Sequence, residues 1–284
     1  MPHPATFAEL IDVGASEHYV DAPLYDYEYR RRRVDVNFYR DFAREHFPQG
    51  ASILELGCGS GRVSMPLARD GHRVFGVDAA PTMLAAAQKR KADAPSAVAA
   101  RLRFAAADLR TFDLGETFDL VIAPFNVLEH LYTRVEVQAC LRNVLAHLSA
   151  PGRFVFDVQM PDFAWLLRDN RKRWARTKFT HPVSGAPYIY STNHEYDPVS
   201  QIALIRIYYD AVRPSDKSHS IALSQRKFFP AELEALVAHA GLRVTAQWGD
   251  FARAPLTGAA LSQVLVCQRA LPLTPPTATG KRAR

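Results

Sequence analysis

The feature that most constrains this chain is a set of alternate glycines that follows a short apolar segment. Residues 51–56 form a short, largely apolar run that contains one carboxylate, and such a run predicts a buried parallel strand. Gly57, Gly59 and Gly61 come directly after it. Because glycine adopts positive φ angles and lets a ligand approach the backbone, the three glycines predict a tight turn that faces a ligand.

The residues around this turn indicate which kind of ligand it holds. A helical pattern over residues 62–69 and a second strand over 73–77 follow, and the strand ends in Asp78. In nucleotide sites built in this order, a carboxylate about 20 residues after the glycines accepts the ribose hydroxyls. Glu55 lies two residues before the first glycine. A carboxylate there repels a phosphate and favours a ligand that carries a positive amino group.

The glycine loop ELGCGSGR, followed by GVD, resembles motif I and the acidic strand end of the class I S-adenosylmethionine (SAM)-dependent methyltransferases. SAM has a ribose, an adenine and an ammonium group but no phosphate. The resemblance implies an α/β fold with a seven-stranded, mostly parallel, doubly wound sheet. It also implies SAM as the cofactor and S-adenosylhomocysteine (SAH) as its product. A glycine turn in some other α/β protein is the alternative.

The segment that begins at Pro23 predicts one helix that reaches about residue 47. Tyr25, Tyr29 and Arg32 fall at i, i+4 and i+7, so they share one stripe of this helix. The string YD..Y..R..DV.FY resembles the helix that caps the SAM pocket in a bacterial branch of small-molecule methyltransferases. The resemblance implies that Arg32 binds the methionine carboxylate and that the tyrosines cover the reaction centre. An amphipathic surface helix is the alternative.

The fourth predicted strand, residues 118–125, is followed by Asn126, Glu129 and His130. Ligands of open α/β sheets bind outside the carboxyl ends of the strands, so these residues are expected to face the transferable methyl group. FNVLEHL resembles the FN.L.HL signature of the same branch. His130 is expected to act as the base, or else to hold the loop through a backbone hydrogen bond. APFN replaces the [DNS]-P-P-[YFW] motif, which argues against methylation of an exocyclic base amine.

The expected site residues fall into three groups. The expected catalytic residues are Tyr25 and His130. The expected cofactor contacts are Tyr29, Arg32, Glu55, Gly57, Gly59, Gly61, Asp78, Ala79, Met83, Asp108, Leu109 and Phe125. The expected substrate contacts are Asn126, Tyr188 and Arg226. No metal site is expected, because the cysteines are scattered singly.

After a fifth strand over 153–158 the sequence pattern changes. Residues 161–178 predict a basic helical stretch, and 188–196, 201–212 and 219–229 predict three antiparallel strands. Such an insert can cover a pocket, so that its aromatic residues bound a substrate cavity, or it can pair with a second subunit in a homodimer. A helix and two strands over 230–270 are then expected to complete the sheet with an antiparallel edge.

The expected organisation has five parts: an N-terminal segment and cap helix (1–48), a SAM-binding core (49–160), the insert (161–229), the closing helix and strands (230–270) and a disordered tail (271–284). The net charge of +6 is clustered, which would suit nucleic acid or an acidic substrate, but more commonly marks a solvated surface. No run is long and apolar enough to cross a bilayer and no signal peptide is recognised, so no membrane partner is expected and the cytoplasm is the expected location.

Methyl transfer from SAM to an oxygen or nitrogen of a small-molecule acceptor is the leading functional hypothesis. The sequence resembles the amino-sugar N-methyltransferases, but the insert matches theirs poorly. The substrate of those enzymes is therefore not assigned to this chain. An RNA or protein methyltransferase and a non-catalytic SAM-binding regulatory subunit are the two alternatives. Nucleic acid is the less favoured partner.

Overall fold

The computed structural model describes residues 7–270 of the chain. The strands, numbered in chain order, are Ser52–Leu56 (β1), Arg73–Asp78 (β2), Leu102–Ala106 (β3), Phe118–Ala123 (β4), Leu148–Gln159 (β5), Trp174–Thr180 (β6), Pro187–Asp197 (β7), Ile202–Ala211 (β8), His219–Arg226 (β9), Leu242–Trp248 (β10) and Ser262–Arg269 (β11). The α-helices are Phe7–Gly14 (α1), Ala22–Tyr29 (α2), Val34–His46 (α3), Ser64–Arg69 (α4), Pro81–Ala92 (α5), Ser96–Ala99 (α6), Arg134–His147 (α7), Phe163–Leu166 (α8) and Pro230–His239 (α9). Glu17–Tyr19 and Val127–His130 form 3₁₀ turns.

Seven strands form the main sheet in the order β10-β11-β5-β4-β1-β2-β3. The five strands β1 to β5 are parallel, whereas β11 is antiparallel to both β5 and β10. The predicted seven-stranded, mostly parallel sheet with an antiparallel edge is therefore confirmed. The chain leaves β1 for β2 and β3 on one side and returns to β4 on the other. This reversal opens a crevice at the carboxyl ends of β1 and β4, where ligands of such sheets bind.

Helices cover both faces of the main sheet, as expected for a doubly wound fold. One apolar core lies between the sheet and α7 and α9, and a second lies between the sheet and α3 and α4. In α7 the apolar residues Val137, Cys140, Leu141 and Val144 follow helical spacing, and all are 0% exposed. A capping box at Thr133 begins this helix. Burial of each such aliphatic side chain stabilises the fold by about 1.5–3 kcal/mol.

The predicted single cap helix is wrong, because the chain breaks at the four arginines between α2 and α3. The two helices pack on different cores. Leu24 of α2 joins the apolar cluster of the insert, whereas Phe38 and Phe42 of α3 join the core of the main sheet. One straight helix cannot serve both cores, and as a result Arg32 lies in the connecting turn instead of on a stripe with the tyrosines.

The insert also differs from its prediction. The helix expected over 161–178 is wrong: only α8 is helical, and β6 follows it. The insert forms an antiparallel sheet in the order β6-β7-β8-β9, with four strands instead of the predicted three. Pairing of Phe179 with Tyr188 in register fixes β6 on β7. Buried and exposed residues do not alternate in β6, which is an exposed, basic edge strand. Its pairing with β7 therefore decides its structure in spite of the local sequence pattern.

The predicted disordered tail, residues 271–284, and the first residues of the N-terminal segment lie outside the described residues. The other predicted boundaries stay predictions. Among the helices of residues 7–270, none combines the length and the apolar character that a bilayer crossing requires.

Candidate active site

A cavity lies at the carboxyl ends of β1, β2 and β4, and it encloses about 870 Å³ if its open mouth is counted. The lining comes from the N-terminal segment, the glycine turn, the end of β2 and the loop after β4. The lining residues are Ala15, Tyr19, Tyr25, Glu55, Gly57, Cys58, Gly59, Ser60, Arg62, Val63, Asp78, Ala79, Ala80, Met83, Leu109, Pro124, Phe125, Val127 and His130. Residues predicted as catalytic, Tyr25 and His130, thus share one cavity with most of the predicted cofactor contacts.

The glycine turn follows β1 in a conformation that only glycine adopts without strain. Gly57 and Gly59 have φ angles of 61° and 53°. A Cβ atom on Gly57 would lie 2.5 Å from Cγ2 of Val127, so the turn and the loop after β4 approach each other more closely than any side chain permits. The backbone of the turn therefore forms the floor of the cavity.

Asp78 lies at the end of β2 and faces the glycine turn. Its Oδ2 accepts the backbone N–H of Gly59 at 2.7 Å, and its Oδ1 accepts the N–H of Ala80 at 2.8 Å. Burial raises the pKa of Asp78, while these backbone donors lower it. Each carboxylate oxygen has a second lone pair, so Asp78 can still accept two hydroxyl groups from a ligand.

Glu55 is 2% exposed and accepts a hydrogen bond from the hydroxyl of Ser64. Burial raises the pKa of Glu55 to about 8, in spite of the opposing effects of Ser64 and of the positive charge of Arg62. A cation bound in the cavity would favour the ionised carboxylate. The site therefore suits a positively charged ligand better than an anionic one.

Two arginines lie near the cavity, and only one of them lines it. Arg62 lines it and binds the buried Asp35 through two nitrogens, at 3.1 and 2.5 Å. Arg32 Nε is 3.7 Å from Asp35, and this buried nitrogen has no hydrogen-bond partner among residues 7–270. Arg32 lines a separate arginine-rich cleft, together with Tyr29 and Gly61. Arg62 was not singled out from the sequence, although it directly follows the third glycine in ELGCGSGR.

An aromatic wall faces the glycine turn across the cavity. The hydroxyl of Tyr19 lies 2.7 Å from Nε2 of His130, and the Tyr19 ring lies 5.8 Å from that of Tyr25. Burial lowers the pKa of His130 to about 4 and raises that of Tyr19. Both groups are therefore neutral near pH 7. Sequence reasoning missed Tyr19, which no motif marks and which is 111 positions away from its partner.

Another buried carboxylate lies beneath the loop after β4 and fixes the backbone of that loop. Asp157 accepts the backbone N–H groups of Phe125 and Asn126 at 2.9 and 3.3 Å, and the Tyr39 hydroxyl at 2.7 Å. Phe125 and Asn126 have φ angles of 65° and 64°, which are unfavourable for residues with a side chain. The hydrogen bonds to Asp157 hold this strained loop.

The remaining predicted site residues lie outside the cavity lining. Asp108 binds Arg110 through both carboxylate oxygens. Tyr188 packs within the insert against Phe179. Arg226 forms an ion pair with Glu232 at 2.5 Å. Their predicted contacts with cofactor or substrate are not tested by these positions and stay predictions, as does that of Asn126.

Comparison with known proteins shows what this geometry is similar to. The family described as "Methyltransferase domain" matches residues 53–152. A dTDP-3-amino-3,6-dideoxy-alpha-D-glucopyranose N,N-dimethyltransferase of Streptomyces fradiae is 31% identical over 142 residues, which are 48% of this chain and 52% of that enzyme. The chain therefore spans about half the length of this relative.

Two solved structures resemble most of the chain. The CcbJ methyltransferase of Streptomyces caelestis has a TM-score of 0.74 at 22% identity, and the match covers 90% of this chain and 99% of that one. SAM-bound CalS10, an amino pentose methyltransferase of Micromonospora echinaspora, has a TM-score of 0.64 at 24% identity, with coverage of 87% and 95%. The resemblance of ELGCGSGR to motif I is confirmed: residues 53–152 match the methyltransferase domain family, and the chain has the class I, Rossmann-like methyltransferase fold.

Proposed function

We propose that this protein transfers a methyl group from SAM to a nitrogen or oxygen atom of a small-molecule acceptor. The observation that carries the proposal is the composition of the cavity. Two buried carboxylates, Glu55 and Asp78, flank a bare glycine turn on one side, and a neutral aromatic wall closes the other. The methyltransferase domain over residues 53–152 supports the same activity.

The residues around the turn fit an adenosyl ligand. Asp78 accepts the ribose hydroxyls, and Met83, which is 1% exposed and lines the cavity, packs on the adenine. Glu55 faces the ammonium group, and Arg32 or Arg62 binds the carboxylate. When bound, SAM supplies an electrophilic methyl group on a sulfonium sulfur.

The aromatic wall supports the acceptor side of the reaction. His130 is a neutral base within hydrogen-bond distance of Tyr19, so the pair accepts a hydrogen bond from the acceptor and takes its proton as the new bond forms. The lowered pKa makes His130 a weak base. Alignment of the acceptor and exclusion of water by Tyr19 and Tyr25 are therefore the larger contribution, which suits an acceptor that is already a free amine.

Small amino compounds are the first acceptors to test, because the Streptomyces fradiae relative is named for an amino sugar nucleotide and the CalS10 neighbour for an amino pentose. Proton uptake by a weak base is least demanding for an amine, whose nitrogen has a free lone pair. We further propose that the insert bounds the acceptor cavity. The predicted homodimer through the insert stays a prediction.

The test measures SAH binding by calorimetry with wild-type protein, Asp78→Asn and Asp93→Asn. Asparagine at position 78 removes the negative charge, and its NH₂ group then faces one of the two backbone N–H donors, Gly59 or Ala80. The affinity for SAH should therefore fall about 30-fold or more. Asp93 is a matched control because its carboxylate is 66% exposed and forms an ion pair with the exposed Lys89 at 3.2 Å. Unchanged affinity in Asp78→Asn, or tighter binding of NAD than of SAH, would contradict the proposed cofactor.

A second assay measures conversion of SAM to SAH with amino sugars and phenols as acceptors, and with RNA as the contrasting class. Turnover is expected with a small amine or hydroxyl compound. Turnover with RNA alone, falling steeply as salt is added, would instead support a nucleic-acid enzyme.

A further inference from the structure

A fully buried lysine ammonium lies between the insert and the loop that carries His130. Lys227 directly follows β9 and its side chain is 1% exposed. Its Nζ lies 2.7 Å from Oε2 of Glu129, 2.5 Å from Oε1 of Gln159 and 3.0 Å from Oε1 of Gln225. An ammonium group has three hydrogen-bond donors, so all three are satisfied.

Glu129 connects this lysine to the candidate active site. It is the residue before His130 in the 3₁₀ turn Val127–His130, and its side chain is 0% exposed. Its second oxygen accepts the backbone N–H of Gln159, at the end of β5, at 2.7 Å. The turn is thus attached to the main sheet by one carboxylate oxygen and to the last segment of the insert by the other.

Stability alone does not account for this arrangement. Removing two ions from water is costly, and apolar residues of similar volume in place of a buried ion pair are often neutral or stabilising. A buried pair does, however, fix direction, because the ammonium and the carboxylate must meet in one geometry. The residue whose place is fixed here is the one next to His130.

We propose that Lys227 is a positioning residue for methyl transfer: through Glu129 it fixes the turn that presents His130 to Tyr19. The proposal rests on the proposed function. Nothing in the glycine loop or in the FN.L.HL signature indicates it, since Lys227 lies 98 positions from Glu129. The segment directly after β9 is therefore the part of the insert that positions His130 at the reaction centre.

The charge of Lys227 acts in the same direction as its geometry. A positive charge near an imidazole disfavours the imidazolium form. Burial is the main cause of the lowered pKa of His130, and the nearby His18 and Lys227 lower it further. The ionisable groups that face His130 are His18 and Tyr19 from the N-terminal segment and Lys227 from the insert, with Glu129 beside it in the turn. Lys227 therefore helps to keep His130 neutral and able to accept a proton.

The test compares Lys227→Met with the double variant Glu129→Gln/Lys227→Met. The single variant leaves Glu129 buried without its partner, a strongly destabilising change that should lower the melting temperature. The double variant leaves no unpaired buried charge, and glutamine at 129 can still accept the N–H of Gln159. Lys178→Met is the matched control, since it makes the same exchange at an exposed position of the insert.

Four quantities are measured for each variant: the melting temperature, the Kd for SAH, kcat and KM for the acceptor, and the NMR signals of the His130 ring. In the double variant the melting temperature should return close to that of the wild type and the Kd for SAH should stay within about threefold. The value of kcat should nevertheless remain at least about tenfold lower, and the NMR signals of the His130 ring should differ from those of the wild type, because the ion pair no longer fixes the turn that carries the ring. Lys178→Met should change none of these quantities.

Recovery of kcat together with the melting temperature in the double variant would overturn the proposal and make Lys227 a structural residue only. An unchanged NMR environment of the His130 ring would overturn it as well. If the wild-type protein bound no SAH and methylated no acceptor, the proposed function would fail, whereas the melting temperature and the NMR signals would still test whether Lys227 fixes His130.

Discussion

Exchange of Tyr39 for phenylalanine removes one hydroxyl group beneath the active-site loop and leaves the packing of the ring unchanged. The hydroxyl donates to Oδ1 of Asp157 at 2.7 Å, and the two residues are 1% and 2% exposed. Asp157 also holds Phe125 and Asn126 in their left-handed conformations. Tyr39→Phe therefore tests how much a buried carboxylate contributes to a loop that lines the cavity.

The cost of this exchange should depend on pH. Burial raises the pKa of Asp157 to about 6, and the hydrogen bond from Tyr39 lowers it. At pH 8 the lost bond is one to a carboxylate and costs about 1.5–3 kcal/mol, whereas at pH 5 it is one to a neutral carboxyl and costs about 0.5–1.5 kcal/mol. A difference of about 1 kcal/mol corresponds to a rise of about 0.7 units in the folded-state pKa.

The sign follows from linkage. Because the folded pKa of Asp157 is raised above its unfolded value, the stabilisation from its protonated form is present at low pH and is lost as the pH rises through about 6. Without the Tyr39 hydroxyl the folded pKa is higher still. The variant should therefore continue to lose stability between pH 6 and pH 8, where the wild type has already lost this contribution.

Urea unfolding at pH 5 and pH 8 measures both values by linear extrapolation. Tyr27→Phe, which removes the hydroxyl of a partly exposed tyrosine, is the control and should cost less than about 0.5 kcal/mol at either pH. Equal losses for Tyr39→Phe at the two pH values, or a larger loss at pH 5, would refute the role assigned to ionised Asp157.

Three further predictions concern the cavity. Gly57→Ala should lower the melting temperature and abolish SAH binding, because the added Cβ would lie 2.5 Å from a methyl carbon of the loop after β4. Gly115→Ala is the control: its φ is 65° but the space around it is open, so it should cost only the backbone strain of about 1 kcal/mol. Tyr19→Phe should reduce kcat about tenfold at unchanged Kd for SAH, and unchanged kcat would remove Tyr19 from the reaction. Arg32→Ala should weaken SAM more than adenosine, as measured by calorimetry; equal losses would leave Arg62 as the candidate for the methionine carboxylate.

The glycine turn and its two carboxylates could be predicted from the sequence because they depend on local structure. One short helix connects β1 to β2, and the two strands pair in parallel. Glu55 and Asp78 must therefore emerge at the same edge of the sheet. The contact of Asp78 with the N–H of Gly59 spans only 19 positions. A turn that requires glycine and a strand end that requires a carboxylate leave a clear pattern in the sequence.

The break between α2 and α3 and the strand β6 could not be predicted in the same way. Leu24 and Phe42 have helical spacing within one apolar pattern, and only the tertiary structure assigns them to different cores. β6 is an exposed edge strand whose one neighbour is β7. Neither of its faces is buried, so neither an alternating nor a helical pattern is imposed on its residues.

The acceptor side of the cavity depends on contacts between segments that are far apart in the chain. The backbone N–H of Ala222 in β9 donates to Glu17 at 2.6 Å, which attaches the insert to the 3₁₀ turn that carries Tyr19. Directly after the same strand, Lys227 attaches the insert to the turn that carries His130. One strand thus sets the position of both partners in the Tyr19–His130 pair, while none of its residues lines the cavity itself. Substitutions in β9 should therefore change kcat and acceptor preference while SAH affinity, which depends on the local glycine turn, stays the same.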